Sequence, residues 1–216
     1  MWCIPEVTPE FKTKMMDVLE VYERAYDSAH PVVCVDEKLI QLIKDIRNPL
    51  FVKAGRPRRV DYEYKRNGTC HLFVAVEPKA GKRTVRVTKR RTKKDYASFI
   101  KYLVLHVYKR VKKIILVEDN LNTHNEGALI ETFGEKEGKK IGRKIEWHFT
   151  PKHASWLDQA EIEIHAFEEQ CLKRRIANFH MMQAEVAACV RRRNEEKCRI
   201  KWQFTRKKAK EKFQIR

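Results

Sequence analysis

The sequence predicts an α/β domain built on a mixed sheet with flanking helices. Two unbroken apolar runs, Val32 to Val35 (VVCV) and Ile114 to Val117 (IILV), have the length and β-branched character of strands buried on both faces. Around them lie segments that alternate with a strand period and others that repeat with a helix period. The helical ones separate the later strands, as crossovers between parallel strands require.

Taken in order, Pro9 to Ala25 reads as a helix with Phe11, Met15, Val18, Leu19 and Tyr22 on one face. The VVCV strand ends at Asp36, Lys38 to Arg47 is expected to be a short helical turn, and Lys53 to Arg59 is a basic loop. Val60 to Arg66 alternates, Asn67-Gly68 reads as a hairpin turn, and His71 to Val76 is the returning strand. Arg83 to Thr88 completes an antiparallel meander. Thr92 and Asp95 fit a capping box, and Tyr96, Phe99, Ile100, Leu103, Val104, Val107 and Val111 then keep helical spacing. IILV is the second buried strand and ends at Glu118-Asp119. A helix over Asn125 to Phe133, a polar connection from Gly134 to Gly142, and a strand over Lys144 to Phe149 follow. From about Asp158 the chain reads mostly as helix.

Its 216 residues suit one domain with an appendage, and 43% apolar content suffices for an ordinary core. No apolar run approaches the roughly 18 to 20 residues that cross a bilayer, and the first residues lack a secretory pattern, so a cytoplasmic location is expected. Cys3, Cys34, Cys70, Cys171, Cys189 and Cys198 form no CxxC pair, which argues for free thiols rather than a zinc site. The net charge is +18, and Lys173 to Arg216 alone carries 15 Lys and Arg against 4 Asp and Glu. A field of that size and clustering selects polyanions, which in a cell means nucleic acid.

Both buried strands lead into a carboxylate. Were they parallel neighbours, Asp36 and Asp119 would emerge together at the carboxyl end of the sheet, where open α/β sheets bind ligands. Two such carboxylates repel unless a cation lies between them, and Mg²⁺ is the hard, oxygen-loving candidate. Either aspartate could equally cap a local turn, and spacing alone leaves the two readings even. A third candidate lies in Thr150 to Glu163 (TPKHASWLDQAEIE). Asp158 and Glu161 fit a capping box there, which gives Glu161 a local role as well. Glu163 stands about 200° further round the helix, so it and Glu161 cannot face one site.

Val35-Asp36-Glu37, Asp61 to Thr69 (DYEYKRNGT), Arg90 to Asp95 (RRTKKD), Val117 to His124 (VEDNLNTH) and Thr150 to Glu163 together resemble the DDE catalytic domain of mariner-superfamily transposases, in the bacterial insertion-sequence branch. The likeness runs from about Trp2 to Ile176. It implies an RNase H-like mixed five-stranded sheet, with Asp36, Asp119 and Glu161 as the catalytic, metal-binding triad for Mg²⁺ or Mn²⁺, two ions in all. It also implies cleavage and strand transfer on double-stranded DNA, at element ends and target, by a homodimer. The organisation expected is a helical lead-in over 1–30, the catalytic domain over 31–172 and a basic helical extension over 173–216. DNA contacts are expected from Lys152, His153, Arg90, Arg91, Arg191, Arg192, Arg193, Arg206, Lys207 and Lys208, with Trp202, Phe204 and Phe213 interleaved among the last of them. His124 and His153 each also have a structural reading, as hydrogen-bonding residues beside the site.

Three departures stand out. Asp158 occupies a position that is usually Asn in the family, and Ala154 one that is often Gly. Only 35 residues precede Asp36, too few for the family's helix-turn-helix modules, so either a truncated copy or a DNA-reading half encoded in a separate or frameshifted reading frame is expected. An inactive DNA-binding remnant is the alternative function, and another nuclease of this fold a more distant one.

Overall fold

The computed structural model describes residues 7–47, 50, 53–57, 59–119 and 125–214. Helix α1 (Pro9–Glu23) leads into β1 (Val32–Asp45), β2 (Tyr64–Glu77) and β3 (Lys82–Thr88). Helix α2 (Lys93–Tyr102) follows and runs on into a π-helical turn, Leu103–Val107. Then come β4 (Ile114–Glu118), α3 (Glu126–Phe133), α4 (Glu135–Gly142), β5 (Ile145–Phe149) and α5 (Gln159–Phe167), the last extended by a π turn, Glu168–Leu172. Helices α6 (Phe179–Glu195) and α7 (Arg206–Phe213) complete the order. The five strands form one sheet in the order β3-β2-β1-β4-β5. β1 is antiparallel to β2, and β2 to β3, whereas β1, β4 and β5 run parallel. Among the described residues no helix is long and apolar enough to cross a membrane.

Each face of the sheet buries a distinct apolar set. Val33, Val35, Phe73, Ala75, Ile114 and Leu116 point to α2, α3 and α4, where Tyr96, Phe99, Ile100, Leu129 and Ile141 cover them. Cys34, Val76, Ile115 and Val117 point the other way, to α1, α5 and α7. Further along that second face Leu42, Leu72 and Val74 meet Ile164 and Phe167 of α5 and Met182 and Val186 of α6. Residues beyond 172 therefore share cores with the rest of the chain.

Three local expectations are corrected. Lys38 to Arg47 is no helical turn, because β1 continues to Asp45 and pairs with β2 along its length. Asn67-Gly68 is no hairpin turn either: β2 passes through it, and the register jumps from Gln41↔Thr69 to Ile43↔Arg66. The pair is thus a β-bulge, and Gly68 takes the φ of 86° that such an insertion needs. The supposed connection from Gly134 to Gly142 contains α4, whose Gly138 lets the helix approach α3 so closely that a Cβ would sit 2.6 Å from the Ile130 Cα.

One polar contact ties α2 to the sheet. Glu118 is fully buried at the end of β4, and the Tyr96 hydroxyl donates to its carboxylate, 2.8 and 3.0 Å from the two oxygens. Burial and then the Glu118 charge hold the Tyr96 hydroxyl well above its ordinary pKa, so it remains a donor. Replacing Tyr96 by Phe removes this donor from a buried carboxylate and is expected to lower stability by about 1–3 kcal/mol in denaturant unfolding. An unchanged midpoint would mean the contact contributes nothing.

Candidate active site

The parallel ladder between β1 and β4 runs from Val32↔Ile115 to Val35↔Glu118. One residue further along each strand brings Asp36 level with Asp119 on neighbouring strands, which lie about 4.8 Å apart. Alternation fixes the face. Val35 and Glu118 belong to the α2 side, so Asp36 and Asp119 turn to the side of Cys34 and Val117, under α5. Asp36 is not at a strand end as expected; it lies inside β1, level with Val74 of β2. Its Oδ1 also accepts the Glu37 N–H at 2.7 Å. Both aspartates are half-buried.

The third stretch arrives from the other end of the chain. β5 closes with the Thr150 N–H donating to the Glu118 carbonyl at 2.9 Å. A loop follows in which His153 adopts φ 60°, and a short 3₁₀ turn, Ser155–Leu157, sets Asp158 as the N-cap of α5. Tyr22 of α1 anchors this turn: its hydroxyl donates to the Leu157 carbonyl at 2.8 Å and accepts the Gln159 N–H at 3.4 Å. Cys34 Sγ lies 3.6 Å from the same hydroxyl, and burial raises both groups' pKa.

Asp158 is buried at 1% exposure. Its Oδ1 accepts the Ala160 N–H at 2.8 Å, and its Oδ2 has no hydrogen-bond partner among the described residues. Burial first, then the charge of Asp36, raise its carboxyl well above the usual range, with smaller contributions from Asp119 and Glu118. The charges of Asp36 and Asp119 therefore reach this buried carboxyl across the same face of the sheet. Asp158 was legible only as a departure in charge; its burial is what makes it part of the acidic cluster.

The expected capping box between Asp158 and Glu161 is half present. Asp158 caps α5, but Glu161 makes no side-chain hydrogen bond or ion pair with any described residue and is half-exposed. Glu163 is the opposite case. It is fully buried, with Arg83 Nε at 2.9 Å, and Arg193 Nε and Nη2 at 2.8 and 3.0 Å. The structure therefore commits Glu163 to an internal ion cluster and leaves Glu161 available.

The basic residues separate in the same way. Lys152 and His153 are exposed on the loop before α5, beside a cleft of about 300 Å³ lined also by Thr8, Glu10, Phe11, Lys14 and Pro151. Arg90 and Arg91 are exposed ahead of α2, and Arg191, Arg192, Lys207 and Lys208 are exposed at the C-terminal end. Arg193 departs from expectation, being buried on Glu163. Arg206 is held by Glu23 at 2.7 Å through both its backbone N–H and its Nε. The interleaved aromatics are also engaged internally: Trp202 packs edge-on to Tyr22, Phe204 to Trp156 and Phe213 to Phe11. They strap the C-terminal segment to α1 and the loop before α5.

Among the described residues no three His, Cys, Asp or Glu side chains already converge closely enough to cage an ion. Asn120 to His124, within the second acidic motif, lie outside the described residues. The donor chemistry is all carboxylate oxygen, the set that suits Mg²⁺ or Mn²⁺ rather than a soft metal.

A family model described as DDE superfamily endonuclease matches residues 31–183. Among solved structures, the Mos1 mariner paired end complex with Mn aligns at TM-score 0.59 and 17% identity, over 92% of this chain and 60% of that one. The crystal structure of the catalytic domain of Mos1 mariner transposase aligns at TM-score 0.54 and 13% identity, over 91% and 96%. The chain thus spans about 60% of the longer Mos1 chain and nearly all of its catalytic domain. The fold is the RNase H-like one, a mixed five-stranded sheet with flanking helices. No curated protein matches the chain.

The position of Asp158 yields a test with a definite sign. Its folded pKa lies above the unfolded value of about 3.9, so folding is most favoured below that pH and loses stability as pH rises toward the folded pKa. Asp158→Asn removes this penalty while keeping an oxygen that can cap α5. With chelator present, thermal unfolding should show the variant more stable at pH 7, with the advantage shrinking toward pH 4. A variant less stable at pH 7 would contradict the buried-carboxyl account.

Proposed function

The chain belongs to the DDE superfamily endonucleases, and on that footing we propose that it is the catalytic domain of a DNA transposase of the insertion-sequence type, cutting element ends and joining them to target DNA. The observation that carries the reading is the strand register that sets Asp36 level with Asp119 on the face covered by α5. Asp36, Asp119 and Glu161 would hold Mg²⁺ or Mn²⁺, two ions in all. Bound there, the metal supplies Lewis acidity for attack on a phosphodiester.

The chain's own residues do the rest. The β1–β4 ladder and the Tyr22 anchor hold two carboxylates and the start of α5 at fixed spacing. Lys152 and His153, on the rim of the same loop, are suited to scissile-strand phosphates. Arg90, Arg91, Arg191, Arg192, Lys207 and Lys208 offer sequence-independent contacts to the duplex. The partner is double-stranded DNA, engaged by a homodimer in the cytoplasm at the nucleoid.

Asp119→Asn and Glu161→Gln are each expected to reduce Mg²⁺- or Mn²⁺-dependent nicking of duplex DNA by at least about 10²-fold, the scale on which losing one transition-state stabilising group acts. Nicking by Asp119→Asn equal to the unaltered chain would defeat the assignment. Absence of nicking in the unaltered chain, with DNA binding intact, would favour the inactive remnant, a reading to which the extra buried carboxyl of Asp158 lends weight.

The exposed lysines give a separate measurement. Changing Lys207 and Lys208 together to Gln should make log K against log salt shallower, by about 0.9 for each DNA phosphate that the two lysines neutralise. Arg206→Gln should leave that slope unchanged, since Arg206 is already held by Glu23.

A further inference from the structure

Glu163 is an unusual residue to bury two positions from a candidate metal ligand. Its carboxylate is fully enclosed and meets two guanidinium groups, Arg83 from β3 and Arg193 from α6. Arg193 grips it with Nε and Nη2, a two-pronged contact, and donates from Nη1 to Gln170 at 3.2 Å. Arg83 is fixed in turn, donating to the carbonyls of Arg193 and Cys198. Asn194 binds the Arg83 backbone on both sides, at 2.8 and 2.9 Å. β3, α5 and α6 are thus joined at one carboxylate.

Helix geometry links this cluster to the acidic site. Ala160, Ile164 and Phe167 form the apolar stripe of α5 that rests on the sheet. At about 100° per residue, Glu163 falls on one flank of that stripe and Glu161 on the other. The Glu163 flank faces β3, through Arg83. β3 is the edge of the sheet on the far side of β2 and β1 from β4, so the Glu161 flank faces toward β4 and Asp119. Apolar contacts resist separation but permit roll. A bidentate fork to a buried carboxylate fixes direction as well. With side-chain tips about 5–6 Å from the helix axis, a roll of about 20° would carry the Glu161 carboxylate about 2 Å. That exceeds the roughly 0.5 Å within which a preorganised site must hold its groups.

Resting on the reading of Glu161 as the third carboxylate, we propose that Arg193 and Arg83, clamped on Glu163, are positioning residues that set the rotation of α5 and so aim Glu161 at Asp36 and Asp119. The clamp touches no substrate; it acts through the helix. Its two cations on one carboxylate also make a clean variant available, because Arg193→Met leaves Arg83 and Glu163 as a balanced pair.

The experiment compares the full chain, Arg193→Met, Arg193→Lys and Glu161→Gln in direct Mn²⁺ titrations followed by electron paramagnetic resonance, alongside thermal unfolding without metal. Arg193→Met is expected to remain folded and to weaken Mn²⁺ binding by roughly 10–100-fold, the usual effect of losing a residue that orients a ligand. Arg193→Lys keeps the charge without the fork and should fall between. A clamp that serves packing alone would lower the melting temperature and leave the affinity of the folded protein unchanged, and that result overturns the proposal. Should Arg193→Met not fold, Arg193→Lys decides: unaltered affinity there overturns it. Unaltered affinity in Glu161→Gln would instead remove the third-carboxylate reading, and the positioning role with it. Weakened binding in Glu161→Gln with normal binding in both Arg193 variants rejects the positioning role alone.

Discussion

The candidate site depends on four residues of parallel pairing. Val32 to Val35 of β1 lie against Ile115 to Glu118 of β4, and the register of that ladder alone decides that Asp36 and Asp119 come level. A slip of one residue would send one aspartate to the opposite face, among Val35, Tyr96 and Phe99. The pairing is specified by burial on both sides, since alternate residues of each strand feed two separate cores. The apolar runs that look like ordinary core strands are therefore also what places the charges. The placement of the two candidate carboxylates is a consequence of where the hydrophobic run stops on β4, and of where a single carboxylate interrupts it on β1.

That arrangement concentrates negative charge where the core is densest. Glu118 is enclosed on one face, and Asp158 is buried on the other, the face to which the half-buried Asp36 and Asp119 turn. The fold handles each differently. Glu118 is given the Tyr96 hydroxyl, and Asp158 the Ala160 N–H together with a carboxyl pKa raised by burial. Glu163, a fifth carboxylate nearby in sequence, is matched by two arginines. A cation at Asp36, Asp119 and Glu161 would relieve the remaining repulsion, which is the physical reason to expect metal binding and folding to reinforce one another.

Much of this was legible in the sequence. The two buried strands, α1, the capping box of α2, α3 and β5 follow from periodicity and composition, because each is decided by its own residues, whereas α4 was read as a polar connection. The two strand misreadings share a cause. Lys38 to Arg47 has Leu39, Ile40, Leu42 and Ile43 at helical spacing, yet β2 is available as a partner and draws it into the sheet. Asn67-Gly68 has the composition of a hairpin turn, but the bulge it makes is set by the strand opposite. The role of Glu163 was beyond local reading altogether, since Arg83 and Arg193 reach it from β3 and α6. Helical spacing could say that Glu161 and Glu163 face different ways; only the tertiary partners say which one is taken.

The basic C-terminal segment shows why charge density is an incomplete guide to a binding surface. Composition treats Arg191 to Lys212 as one cationic block, but its side chains have two fates. Arg193 and Arg206 are consumed by Glu163 and Glu23, and Trp202, Phe204 and Phe213 lie against Tyr22, Trp156 and Phe11. Among those that remain outward, Arg191, Arg192, Lys207 and Lys208 are carried on helices held to the body rather than on a loose tail. A cationic surface fixed in this way loses less conformational entropy on meeting a phosphate backbone than a flexible one, because much of its ordering has already occurred on folding. It also lies on the segment that straps α1 to the loop before α5, so a duplex held by these residues would bear on the same elements that position the acidic cluster.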